Sequence, residues 1–259
     1  MCLIAFAWRC HPEFPLVIAA NRDEFFDRPA QSARWWQHRQ QDLFAGRDLK
    51  AGGTWLGVGA NRRFAALTNV RNPSAMMSDA PSRGGLVPDF IAGEAGVADA
   101  LEALAGSSGR YNGFNLLLFD GANLGVYESP NARGRVLAPG VYALSNADLE
   151  APWPKQRRAS AGMTRALASL PATDALFRLL HDDRPAADAA LPATGVPREW
   201  ERALSSLFIR APGYGTRCTT TLVFDRDGGV RFEERSWDAA GRLAGRAQTT
   251  LAAIRQEQA

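Results

Sequence analysis

The sequence predicts an α+β fold built mainly from antiparallel strands, and two observations carry that reading. Apolar runs of strand length come in groups, divided by groups of helix-length amphipathic segments. Strands and helices therefore do not alternate one by one, as a doubly wound parallel sheet requires. Neighbouring strand segments are also joined by short links rich in turn residues, which favours hairpins. At 259 residues the chain can bury one substantial core. One large domain or two smaller ones both suit that length.

The elements follow in order. Cys2–Trp8 and residues 16–20 read as two strands joined by the turn His11-Pro12-Glu13-Phe14-Pro15. Residues 55–59 and Phe64–Asn69 read as a hairpin with Asn61-Arg62 near its turn. Residues 84–92 and 97–105 carry helical spacing. Phe114–Phe119, Leu124–Glu128 and residues 141–145 return to strand character. Residues 153–170 read as a long amphipathic helix with Pro154 in the first turn, where proline is tolerated. Residues 175–181 and 198–208 read as shorter helices, and the Ala- and Pro-rich stretch 185–197 as a loop. Residues 219–224 and Val230–Trp237 form a last hairpin around Asp225-Arg226-Asp227-Gly228-Gly229. The tail beyond residue 239 has no assignment.

Composition narrows the function classes. Hydrophobic content of 46% and charged content of 22% are those of a soluble globular protein. The net charge is only +3, carried almost wholly by arginine, since Lys50 and Lys155 are the sole lysines. Arginine-rich, lysine-poor usage suggests a GC-rich bacterial genome. The basic residues form no tract and no stripe interleaved with aromatics, which argues against nucleic-acid binding. Three cysteines, Cys2, Cys10 and Cys218, make no disulfide framework and suit a reducing cytoplasm. The start lacks the basic and apolar regions of a secretory leader, and no apolar run approaches 18 residues. The expectation is a cytoplasmic protein with no membrane span. His11, His38 and His181 have no metal-ligand spacing.

The most informative position is Cys2. Residue 2 is small, which lets a cell remove Met1, and removal would leave a thiol and a free α-amino group on one Cα. The amine, with a reference pKa of about 7.7–8.0, can take the proton of a thiol whose own value is about 8.5. That pairing activates a nucleophile in the way Ser–His and Cys–His pairs do. The other reading is a buried strand residue.

Five further motifs sit at strand ends or in adjoining loops. Asn21-Arg22-Asp23-Glu24-Phe25 ends the second strand, either as a solvated turn or as a site. If the first two strands pair, Arg22 lies near Cys2 and its charge favours the thiolate. Asp23 or Glu24 would hold the amine or orient Arg22. Gly52-Gly53-Thr54-Trp55-Leu56-Gly57 is neither a P-loop nor a dinucleotide fingerprint. It is a tight turn with a core tryptophan, or a loop that brings backbone close to a ligand. Leu67-Thr68-Asn69 and Leu144-Ser145-Asn146 each end a strand in a hydroxyl residue and Asn, able to cap turns or to donate to an oxyanion. Tyr214-Gly215-Thr216-Arg217 places another arginine just before a late strand.

Together with Ser82-Arg83-Gly84, Tyr111-Asn112-Gly113-Phe114-Asn115 and Pro152-Trp153-Pro154-Lys155, these motifs resemble, in order, the NRDE family, also called transport and Golgi organisation 2. The resemblance spans residue 1 to about 237 and implies a single domain over 1–259. It implies a four-layer αββα sandwich of N-terminal-nucleophile hydrolase type, and a distant similarity to cysteine amidases such as bile salt hydrolases and penicillin V acylases. By that similarity Cys2 is the nucleophile, Arg22 the arginine of the second strand, Asn69 and Asn146 the asparagines near the oxyanion, and Arg217 the late arginine. The amidases run Arg-Asn-x-Asp where this chain runs Asn-Arg-Asp-Glu, so the matching acid is Asp23 or Glu24, with Asp23 preferred. The expected activity is hydrolysis of a non-peptide C–N bond in a small molecule, with no cofactor. The family's members linked to haem trafficking and to coenzyme A metabolism imply the alternative: a non-catalytic carrier of haem or an acyl-CoA-like ligand. In that reading Arg22, Arg71 and Arg217 meet propionates or phosphates, and Trp35, Trp36 and Trp55 cover an apolar face. No oligomeric state follows from the sequence.

Overall fold

A computed structural model describes residues 2–253. The expected removal of Met1 and the last residues of the tail lie outside these. Two antiparallel sheets, each of seven strands among the described residues, make the frame. The first contains β1 (Cys2–Trp8), β2 (Leu16–Phe25), β10 (Gly140–Leu144), β11 (Arg210–Ala211), β12 (Tyr214–Phe224), β13 (Val230–Trp237) and β14 (Leu243–Leu251). It runs in the order β10-β1-β2-β12-β13-β14, with β11 paired to β12. The second runs in chain order through β3 (Ala30–His38), β4 (Gln41–Asp48), β5 (Leu56–Gly59), β6 (Phe64–Asn69), β7 (Phe114–Phe119), β8 (Leu124–Glu128) and β9 (Arg133–Val136).

Alternation along the strands divides the core. Ile4, Phe6, Ile18, Phe224 and Phe232 of the first sheet meet Phe44, Val58, Phe64, Phe119 and Val126 of the second, filling the space between the sheets. The opposite face of the first sheet, with Leu3, Ala5, Val17 and Ala19, packs on α3 (Pro154–Ala166) and α4 (Asp174–Leu180) through Met163, Leu176 and Leu180. The outer face of the second sheet packs on α1 (Leu86–Ala92) and α2 (Val97–Ser107). A short helix, α5 (Arg198–Leu204), precedes β11. None of these helices is long and apolar enough to cross a membrane.

The run Asn21-Arg22-Asp23-Glu24 does not leave the sheet as a turn. It continues β2 to Phe25, between β1 and β12. Four polar residues stay in a buried strand because each finds a partner. Asn21, for example, donates to the carbonyls of Leu180 and Leu207 at 2.9 and 2.8 Å and accepts from the Thr219 hydroxyl at 2.6 Å.

Strands β3, β4, β9, β11 and β14 have no counterpart among the strands expected from the sequence. β3, β9 and β14 are edge strands, and of β3 only Ala33 is buried. β4 lies inside the sheet between β3 and β5, with a short buried run over residues 43–46. An edge strand owes its place to backbone pairing and needs no alternating apolar face. The helices expected over 153–170 and 198–208 are shorter, ending at Ala166 and Leu204.

A candidate active site at the open end of the sandwich

The short turn after β1 pairs β1 with β2 in a register that sets Cys2 opposite Arg22. On its other side Arg22 faces Cys218 of β12. Directly paired residues share a face, so Cys2, Arg22 and Cys218 form a row pointing between the sheets. Arg22 is 5% exposed. Its guanidinium lies 3.3 Å from the Asp48 carboxylate and 4.2 Å above the Trp55 ring.

Asp48, at the end of β4, is the hub of this wall. It accepts from Arg28 at 2.6 and 3.2 Å and from the backbone N–H groups of Lys50 and Ala51 at 3.1 and 2.9 Å. Burial pushes its carboxyl up, but the hydrogen bonds from Arg28 and Ala51 and the neighbouring guanidinium charges outweigh it and hold the group below the usual carboxylate range.

The glycine-rich segment explains how the opposite wall is built. A Cβ on Gly53 would lie 2.3 Å from the backbone carbonyl of Gly84, and Thr54 N–H donates to that carbonyl at 3.0 Å. The close approach is thus to the chain's own backbone, and it draws Ser82 and Arg83 to the cleft. Trp55 follows, partly buried rather than sunk in the core. It lies against Gly46, where a Cβ would come within 2.3 Å of its ring.

The result is a cleft of about 310 Å³ whose lining includes Cys2, Arg22, Asp23, Glu24, Trp55, Asn69 and Arg83. Cys2 is 9% exposed. Burial pushes its thiol up. Arg22 pulls it down, as its charge predicts, while the charges of Asp23 and Glu24 push it further up. Arg22 thus favours the thiolate as expected, but burial outweighs it, and the net shift of the thiol is upward.

Asp23 is fully buried and accepts from the Thr216 hydroxyl at 2.7 Å. That hydroxyl itself accepts the Ile209 N–H at 2.9 Å, so its single proton is directed at Asp23. Burial raises the Asp23 carboxyl, against the opposing charges of Lys155 and Arg71. Lys155, 1% exposed, donates to the Leu204 carbonyl at 3.2 Å. Burial pulls it down to about 8, with the Asp23 charge opposing. Glu24 sits nearer the rim, 3.8 Å from Arg28. The two candidate acids thus differ in kind, one locked in the floor and one at the edge.

The remaining expected residues divide. Asn69, ending β6, lines the cleft with Cys2. Asn146 follows β10, whose Leu144 faces Ile4. Continuing that register brings Asn146 opposite Cys2, and its amide donates to the Asn69 carbonyl at 2.9 Å. It braces Asn69 and is not among the lining residues. Arg217 is elsewhere. It sits in an irregularity of β12 between Thr216 and Cys218, donates to the carbonyls of Phe25 and Arg28 at 2.7 and 3.1 Å, and lines a separate cavity of about 190 Å³ beyond Arg22 and Trp55, with Cys218 and Glu234. The expected convergence of Arg217 on Cys2 does not occur. Arg71 is buried, its guanidinium 2.7 Å from Glu201 and 4.9 Å from the Trp153 ring.

Sequence reasoning did not single out Asp48, Arg28, Arg83 or Lys155 for the site. For Lys155 a signal existed: one of two lysines, within Pro152-Trp153-Pro154-Lys155. Arg83 stood in a quoted motif, while nothing local marks Asp48. No cluster of three or more His, Cys, Asp or Glu suited to a metal ion occurs among the described residues.

Comparison with known proteins agrees with the motif order. A family model described as Transport and Golgi organisation 2 matches residues 1–239. The chain is 36% identical over 260 residues to a "Transport and Golgi organization protein 2 homolog" of Bos taurus, covering 91% of this chain and 93% of that protein. It is 35% identical to the Homo sapiens homolog over 258 residues, with the same coverage. It is 28% identical to "Transport and Golgi organization protein 2" of Drosophila melanogaster over 267 residues, covering 91% and 92%. With a family match over nearly the whole chain and relatives above one-third identity, this chain belongs to the Transport and Golgi organisation 2 family.

Proposed function

We propose that the chain is a cysteine amidohydrolase of the N-terminal-nucleophile type, hydrolysing a non-peptide C–N bond of a small molecule in the cytoplasm. The observation that carries this reading is the pairing of Cys2 with Arg22 in the wall of a cleft that also holds Asp23 and Asn69. The packing of α3 and α4 on one sheet and α1 and α2 on the other supports the αββα layering that goes with it.

After loss of Met1, the Cys2 sulfur attacks the substrate carbonyl and an S–C bond forms. The thiol proton passes to the α-amino group as attack proceeds, so no resting thiolate is needed. Asp23, held by Thr216, is the counter-charge for the ammonium formed. Asn69, braced by Asn146, donates to the oxyanion; such a donor is worth about 3 kcal/mol. The ammonium returns its proton to the leaving nitrogen, the C–N bond breaks, and an amine departs from a thioester. Water then adds to the thioester, its proton passing through the same amine, and the S–C bond breaks to release a carboxylic acid and regenerate the thiol.

Carriage of haem or an acyl-CoA-like ligand draws less support. Arg71 is ion-paired to Glu201 and Arg22 to Asp48, so neither is a free anion site. The test is a panel of N-acyl amides offered to protein whose intact mass shows loss of Met1. An acyl adduct on Cys2 after acid quench, and turnover abolished in Cys2→Ser, support the reading. Processed protein with neither adduct nor turnover overturns it.

A further inference from the structure

The Cys2 cleft does not end at Asn69. A second chamber of about 360 Å³ adjoins it, and Asn69, Arg83 and Asn112 line both. Its character differs: Val70, Pro73, Ala75, Met76, Tyr111 and Pro130 supply much of its wall. Arg83 stands at the junction. Of the three arginines lining the first chamber, Arg22 and Arg28 share the Asp48 carboxylate, and Arg28 also lies 3.8 Å from Glu24. Arg83 has no ion-pair partner among the described residues. Its one hydrogen bond there runs from Nη1 to the Gly113 carbonyl at 2.9 Å. It is only partly exposed, and burial pulls it below the usual arginine range, with the negative charge of nearby Glu24 among the opposing influences. A half-buried guanidinium without a counter-ion, with its fork only partly occupied, is matched to a carboxylate from outside.

We propose that Arg83 is the carboxylate subsite for an N-acyl α-amino acid with an apolar side chain, bound across the two chambers. Resting on the hydrolase reading above, this names its substrate class. In such a molecule three groups diverge from one carbon. The amide carbonyl, one bond beyond the nitrogen, reaches Cys2 in the first chamber. The carboxylate meets Arg83 at the junction. The side chain enters the second chamber, where burial of its apolar surface adds to binding. A neutral amide in place of the carboxylate would leave Arg83 desolvated without a counter-charge.

The test separates binding from catalysis by using the Cys2→Ser protein, titrated by NMR with N-acetyl-L-leucine, N-acetyl-L-leucinamide and N-acetylglycine. The acid is expected to bind about tenfold more tightly than its amide, a difference of about 1.4 kcal/mol. Adding Arg83→Gln abolishes that preference while leaving leucinamide affinity in place, and Arg83→Lys, which keeps the charge without the fork, gives an intermediate ratio. Gly109 lines the second chamber, and a Cβ there meets nothing within 4 Å. Gly109→Phe is therefore sterically tolerated and, with its ring turned into the chamber, is expected to weaken N-acetylleucine but not N-acetylglycine. Equal binding of acid and amide overturns the proposal, as does a preference that survives Arg83→Gln in protein with an unchanged circular dichroism spectrum. If the unsubstituted protein releases no leucine but the acid preference stands, the hydrolase reading falls and the subsite remains. Release of leucine without that preference does the reverse.

Discussion

Replacing Asp48 by Asn tests whether the cleft wall depends on one carboxylate. The change preserves shape and keeps an oxygen facing the N–H groups of Lys50 and Ala51. It removes the charge that balances Arg22, 5% exposed, and Arg28, with the Asp48 side chain itself 14% exposed. A hydrogen bond to a charged partner contributes about 1.5–3 kcal/mol. The Oδ2 that accepts from Arg22 and Arg28 becomes an N–H donor facing them, while partial exposure lets water replace it, which places the loss at about 2 kcal/mol for the site. At about 2–4 °C per kcal/mol, the melting temperature falls by about 4–8 °C. The cost has a pH signature. The folded-state carboxyl lies below its ordinary value, so its contribution is fully present above the unfolded value of about 3.9 and is lost as pH falls through the depressed folded one. Urea melts of both proteins from pH 7 to pH 2.5 should show the gap closing below about pH 4. A cost independent of pH, or a change in melting temperature under about 1 °C, refutes the reasoning.

Other expectations follow from the same geometry. Lys155 titrates near 8 when folded and near 10.4 when unfolded, so the unfolded state binds more protons between these values and stability rises with pH across that window; Lys155→Met abolishes the rise in urea melts at pH 8 and 10. Gly53→Ala sets a Cβ against the Gly84 backbone, costs about 1–3 kcal/mol by overpacking, and displaces Arg83, seen as lost carboxylate preference. Iodoacetamide at pH 7 labels exposed Cys10 first, Cys2 more slowly and Cys218 last, because burial raises Cys2 and raises Cys218 well above an ordinary thiol. Cys2 labelling as fast as that of Cys10 contradicts this order.

The sequence alone carried the hairpin of β1 and β2, because two apolar runs joined by seven residues have little choice but to pair. It carried the motif order that identifies the family, and the neighbourhood of Cys2, Arg22, Asp23 and Asn69, because each lies at the end of a strand whose apolar pattern is local. It also offered Arg217 to that neighbourhood, and there it misled. One irregularity in β12 decides where Arg217 goes, and an irregularity in pairing leaves no trace in residue types. The net state of the thiol was out of reach for a related reason. Charge can be read from a neighbour in sequence, whereas desolvation depends on everything packed around the group. Only the tertiary structure joins Asp48 to Arg22 across two sheets, seats Lys155 of α3 beneath Asp23 of β2, and leaves Arg83 without a counter-ion between two chambers. These are meetings of distant segments, set by how the sheets and helices stack, and a one-dimensional pattern records the periodicity of each element but not which face of another it will meet.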